Sequence, residues 1–151
     1  MVPLAITAVL AVIVSVGSSG QYVRDPPPLA ADTLTSVQLF AFGGVGFAPR
    51  ISDGERAFRV VMRKPHDEAL QIMETIFANG TVEAKSYALA GIHALDPERF
   101  DALYQSVAKT PQKVHRMQGC IRFEDTLPEI AKQIRSGAYD KDVRLQSVAG
   151  R

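Results

Sequence analysis

Apolar residues return at helical spacing through the middle of the chain. From Asp67 to Asn79, Ala69, Ile72, Met73, Ile76 and Phe77 recur every three or four positions, with Glu68, Gln71, Glu74 and Thr75 between them. That period predicts a helix opened by Pro65 and Asp67 with one buried face. Gly80 is expected to stop it as a left-handed terminal residue, and Thr81 to cap the next helix. The following stretch, Val82–Leu95, sets Ala84, Tyr87, Ala88, Gly91, Ile92 and Leu95 on one side. So many small residues predict close approach of a neighbouring helix. Upstream, Ser52 and Glu55 have capping-box spacing for a helix to about Arg63, with Ala57, Val60 and Val61 sharing its inner face. Downstream, Asp96, Pro97 and Glu98 combine an N-cap, a first-turn proline and a first-turn acid. They start a helix with Phe100, Leu103, Tyr104 and Val107 inside, which Thr110 and Pro111 end. Thr126 and Glu129 form a second capping box ahead of Leu127, Ile130, Ala131 and Ile134, and Gly137 closes that helix.

Elsewhere the period changes. From His115 to Phe123 apolar and polar residues alternate, apart from His115 and Gly119, which predicts an extended strand or ribbon with His115, Met117, Ile121 and Phe123 on the inner face. Ser36–Phe42 is apolar and short enough to be either a strand or a buried helical turn. Gly43, Gly44, Gly46 and Pro49 exclude a helix after it and predict a packed apolar turn. These glycines match neither GxGxxG nor a phosphate-loop pattern with its lysine. Beyond Asp140 no apolar period is sustained, and a mobile tail is expected.

The segment EALQIMETIFANGTVEAKSYALAGIHALDPERF, Glu68 to Phe100, resembles the helix, glycine turn, helix unit of HEAT-type repeats. Its YALAGI…LDPERF portion is similar to segments of uncharacterised exported bacterial proteins, with a weaker echo around Gly119 and Cys120. The resemblance implies short stacked helical hairpins and carries no activity and no site residue. The fold class expected is mainly α, with a minor extended strand or ribbon near residues 113–123.

Residues 1–20 carry no charge, and Leu4 to Val16 is apolar except for Thr7 and Ser15. Such a run falls short of the roughly 20 residues a membrane helix needs but suits a secretory signal followed by small residues. Cleavage is expected after Gly17 or Gly20; retention as an N-terminal anchor is the alternative. With only Cys120 in the chain, a lipoprotein cut is excluded. The expected layout is a signal peptide over 1–20, a proline-rich tether over 21–35, a helical domain over 36–139 and a tail over 140–151. Pro26, Pro27 and Pro28 impose the extended tether.

Composition narrows the function classes. Seventeen basic and 16 acidic residues leave a formal charge of +1, so no field of one sign is available to hold nucleic acid or steer an acidic ligand. A lone cysteine forms no internal disulfide, so packing alone must stabilise an exported domain; Cys120 is expected as a small, partly buried residue. His66, His93 and His115 lie in separate elements without HExxH or CxxC spacing, and no zinc site or cofactor is expected. There is no GxSxG elbow, and Asp96 and Glu98 are accounted for by capping. Cys120 and His115 are five apart, so on one strand they would point to opposite faces. No catalytic, metal or cofactor-binding residue is assigned. The expected function is that of an extracytoplasmic binding or structural protein of the cell envelope, with an envelope protein as partner and no membrane span after signal cleavage. The alternative is a small extracytoplasmic enzyme. A cleft containing His66, His93 or Cys120 beside an acid would favour catalysis, and a smooth helix-packed body with an apolar or charged groove would favour binding.

Overall fold

The computed structural model describes residues 29–48 and 50–147, with side chains to residue 144. The expected signal and most of the tether lie outside the described residues. The chain is mainly helical with two small antiparallel sheets. Its elements run α1 (Ala30–Thr35), β1 (Gly44–Val45), β2 (Arg50–Ile51), α2 (Asp53–Met62), α3 (His66–Asn79), α4 (Val82–Leu95), α5 (Pro97–Val107), β3 (Lys113–Gln118), β4 (Ile121–Thr126), α6 (Leu127–Arg135) and α7 (Asp140–Ser147).

Helix α4 is the axis of the packing, touching α2, α3, α5, α6, α7 and β3. Surrounded in this way, it buries nine residues from Glu83 to Ile92 rather than a single face. Its small residues act as expected, since a Cβ added at Gly91 would lie 3.0 Å from Met73 Cγ and Sδ on α3. Helices α3 and α4 thus form a close hairpin. The joint between them corrects the reading of Gly80, which sits at φ −81° and ψ 171° and is not left-handed. Glycine is needed there for space, because a Cβ would meet the Ile76 carbonyl oxygen at 2.7 Å.

Capping residues set the helix starts. Thr81 Oγ1 accepts from Ala84 N–H at 3.1 Å, and its hydroxyl donates to the Val37 carbonyl at 2.6 Å, so one cap also ties down the incoming chain. Asp96 accepts from Arg99 N–H, and Thr126 and Glu129 complete the full reciprocal box. At Ser52 only half of the expected box forms. Ser52 Oγ accepts from Glu55 N–H, but the Glu55 carboxylate is buried and paired with Arg59 at 2.6 Å. Val60 also departs from expectation, being 45% exposed while Phe58 and Met62 join Ala57 and Val61 inside. The buried stripe of α2 is therefore rotated by about one residue.

Four further expectations are corrected. The tether ends earlier than residue 35, because Ala30–Thr35 is helical and buries Leu34 completely. The tail is ordered from Asp140 as α7, held by buried Val143. The ribbon near residues 113–123 is a hairpin, turning at Gly119 and Cys120 with Gly119 at φ 56°. Its buried residue on β3 is Val114, on the face of Arg116, whereas His115 is exposed and Met117 is half-buried on the other face. A two-residue turn explains this, since it pairs Gln118 with Ile121 and so puts even residues of one strand on the same face as odd residues of the other. Within Ser36–Phe42, Ser36 caps α1 and Phe40 alone bridges to β3: Phe40 N–H donates to the His115 carbonyl at 2.8 Å, and Met117 N–H donates to the Phe40 carbonyl at 3.1 Å.

Phe40, Phe42, Phe58, Tyr87 and Tyr139 form one aromatic cluster, with neighbouring ring centroids 4.9 to 5.8 Å apart. Tyr87 is its polar handle. The phenol hydroxyl donates to the Ala41 carbonyl at 2.6 Å and accepts from Ala41 N–H at 3.0 Å, pairing both groups of a buried peptide that no strand serves.

Candidate functional surface

The two small sheets meet at one end of the molecule. Gly43 and Gly46 adopt φ values of 82° and 81°, which turn the chain into and out of β1. The β1–β2 turn then lies beside the β3–β4 turn, because Gly46 N–H donates to the Gly119 carbonyl at 2.9 Å and Val45 bridges to Gly119. Two neighbouring tight turns leave side chains with nothing to pack against. Phe47 is 100% exposed and Ile121 61%, with Ile51 and Phe123 a little over one third exposed. The expected packed apolar turn is thus apolar but unpacked. Cys120 is exposed here too, correcting the expectation of partial burial, because it occupies the outer corner of the hairpin turn.

Charges along the hairpin and beside it are unevenly satisfied. Lys113 engages Glu124 at 2.6 Å, Arg116 engages Asp125 at 2.7 Å, and Asp53 is met by Arg56 at 3.7 Å. Lys113 holds the Glu124 carboxyl below its usual range by hydrogen bonding and proximity. The Arg116 guanidinium also lies over the Phe123 ring, 4.3 Å from its centroid. Each of these acids already has a cation, whereas Arg50 and Arg122 flank the apolar residues with no ion pair among the described residues.

Behind the hairpin opens a cleft of about 710 Å³ between Val37–Leu39, the start of α2 and residues His115, Arg122 and Phe123. His115 Nδ1 lies 2.8 Å from Glu83 Oε1, which also accepts from His115 N–H at 3.1 Å. Glu83, buried on α4, therefore ties β3 to the helical body. Sequence reasoning missed this carboxylate, since a first-turn glutamate ordinarily marks a solvated helix start.

The histidines remain apart. His66 stands on the surface between Asp67 Oδ1 and the Leu95 carbonyl, each at 3.0 Å, and its pKa is raised, chiefly by the Asp67 hydrogen bond. His93 borders a pocket of about 310 Å³, edge-on to Phe100, with its Nδ1 3.7 Å from Asp140 Oδ1. No group of three or more His, Cys, Asp or Glu residues able to hold a metal ion occurs among the described residues, and none of their helices is long and apolar enough to cross a membrane. Comparison of the chain with family models, curated proteins and solved structures finds no match in any of the three.

Proposed function

We propose that this chain is an exported binding module of the cell envelope, and that it binds through the paired-turn end. One observation carries the reading: a fully exposed phenylalanine and an exposed isoleucine stand at neighbouring turns, flanked by two arginines that have no ion pair among the described residues. Clustered exposed apolar residues rimmed by charge are the mark of a contact surface, because a monomer in water gains nothing from them. The helical body supplies the rigid support, and we read its α3–α4 hairpin as a HEAT-like unit. The apolar, uncharged start of the sequence supports export, with cleavage near Gly17 or Gly20.

Cys120 provides the test, being the only cysteine and lying within the surface. Its reaction with a membrane-impermeant maleimide should be slow in the intact envelope and fast in the purified protein. Phe47→Ser with Ile121→Ser should restore fast labelling in the envelope. Equal rates in both settings would refute an occupied surface, and absence of the protein itself from cytoplasm-free envelopes, read by immunoblot, would refute export.

A second reading, catalysis, draws on His93 beside Asp140 in its pocket. Their 3.7 Å separation is longer than a hydrogen bond. The pocket lining contains Tyr139 but no serine, threonine or cysteine. Binding is the better-supported function.

A further inference from the structure

We infer that the occupant of the paired-turn end is the surface of a membrane containing anionic lipid, with Phe47 and Ile121 entering the interface and Arg50 and Arg122 meeting phosphates. This rests on the binding reading above and names what is bound.

Shape favours a bilayer over a folded partner. Phe47 stands wholly exposed in the β1–β2 turn and Ile121 opens β4 beside the β3–β4 turn, so both lie at the tip of the two small sheets and neither borders the cleft behind the hairpin. A protruding aromatic ring suits the deformable zone between headgroups and acyl chains, where amphipathic segments settle with their apolar side inward. Charge favours the same occupant. The acids Asp53, Glu124 and Asp125 are each paired with a cation of this chain, which lowers their net repulsion of an anionic surface and leaves Arg50 and Arg122 as the charges in excess. Backbone geometry adds rigidity: the Gly46–Gly119 hydrogen bond holds the two turns together, and both apolar tips can enter at once.

The full chain, labelled at Cys120 with an environment-sensitive fluorophore, tests the inference on vesicles of phosphatidylcholine alone or with phosphatidylglycerol. Emission should shift to the blue on the mixed vesicles and much less on the neutral ones. A label on Ala102→Cys, with Cys120→Ser, should not respond, because that position lies on the exposed side of α5. A basic residue near an anionic surface strengthens binding about fivefold, so Arg50→Gln with Arg122→Gln should weaken the response by tenfold or more. Phe47→Ser with Ile121→Ser should abolish the shift even if the apolar N-terminal sequence keeps the protein on the vesicles. A Cys120 label that ignores the mixed vesicles, or responds equally to both kinds, overturns the lipid assignment. If it ignores them but Cys120 stays protected in the envelope, the surface binds something other than lipid and the binding reading stands. If the shift appears without vesicles and grows with protein concentration, the occupant is a second copy. Loss of both responses removes both readings.

Discussion

Tyr87 does at one position what the aromatic cluster cannot do collectively. Its hydroxyl satisfies both polar groups of the Ala41 peptide, so Tyr87→Phe leaves a buried N–H and a buried carbonyl unpaired. A loss of about 1–3 kcal/mol is expected, measured by urea unfolding. Burial also holds the phenol neutral, its pKa pushed up to about 12. In the unfolded chain a tyrosine ionises near pH 10. The contribution is therefore complete below about pH 10, declines as the unfolded phenol ionises, and is gone once the pH rises through about 12. The loss amounts to roughly 3 kcal/mol. Unfolding free energies measured from about pH 8 to pH 12 should fall more steeply in the parent than in Tyr87→Phe; parallel profiles would mean the phenol is not held neutral. Gly54 depends on the same ring, since an added Cβ would lie 2.8 Å from Tyr87 Cε2. Gly54→Ala is expected to destabilise by about 1–3 kcal/mol despite alanine's helix preference, and a gain would show that the ring can move. In the sequence Tyr87 reads as one more apolar position, because its partner is 46 residues away and period says nothing about such distant contacts.

Helix starts were legible because the signal is local: Thr81, Asp96 and Thr126 sit three residues before the N–H each satisfies. Short elements with few apolar residues among the described side chains were not. Neither α1, anchored by Leu34, nor α7, anchored by Val143, is long enough to show a period. The hairpin was misread because alternation continues through a two-residue turn while the inward parity switches. These differences carry their own tests. Val143→Ala should cost about 1–2 kcal/mol, at roughly 0.8 kcal/mol per buried carbon removed, where a mobile tail would cost nothing. Removing a cap by Thr126→Ala should cost about 1 kcal/mol. Both are read from the denaturation midpoint at unchanged slope, and a neutral Val143→Ala would mean that α7 does not dock.

At the scale of the molecule, the described residues divide into a body that hides its aromatics and an end that displays them. Phe58 is fully buried and Phe47 fully exposed, although hydropathy alone does not separate the two fates. What separates them is that Phe58 lies on a helix packed against α4, whereas Phe47 lies in a turn whose neighbours are another turn and solvent. Apolar area stabilises a fold only when folding removes it from water, so Phe47 and Ile121 contribute little to stability. Replacing both with serine should leave the unfolding free energy within about 0.5 kcal/mol of the parent. Phe58→Ser should cost about 3–5 kcal/mol or unfold the domain, through the lost ring and the cavity it leaves. Urea denaturation of the three proteins decides the matter. If the double variant loses 2 kcal/mol or more, the turn residues support the body, and the exposed apolar end is part of the fold and not a surface reserved for binding.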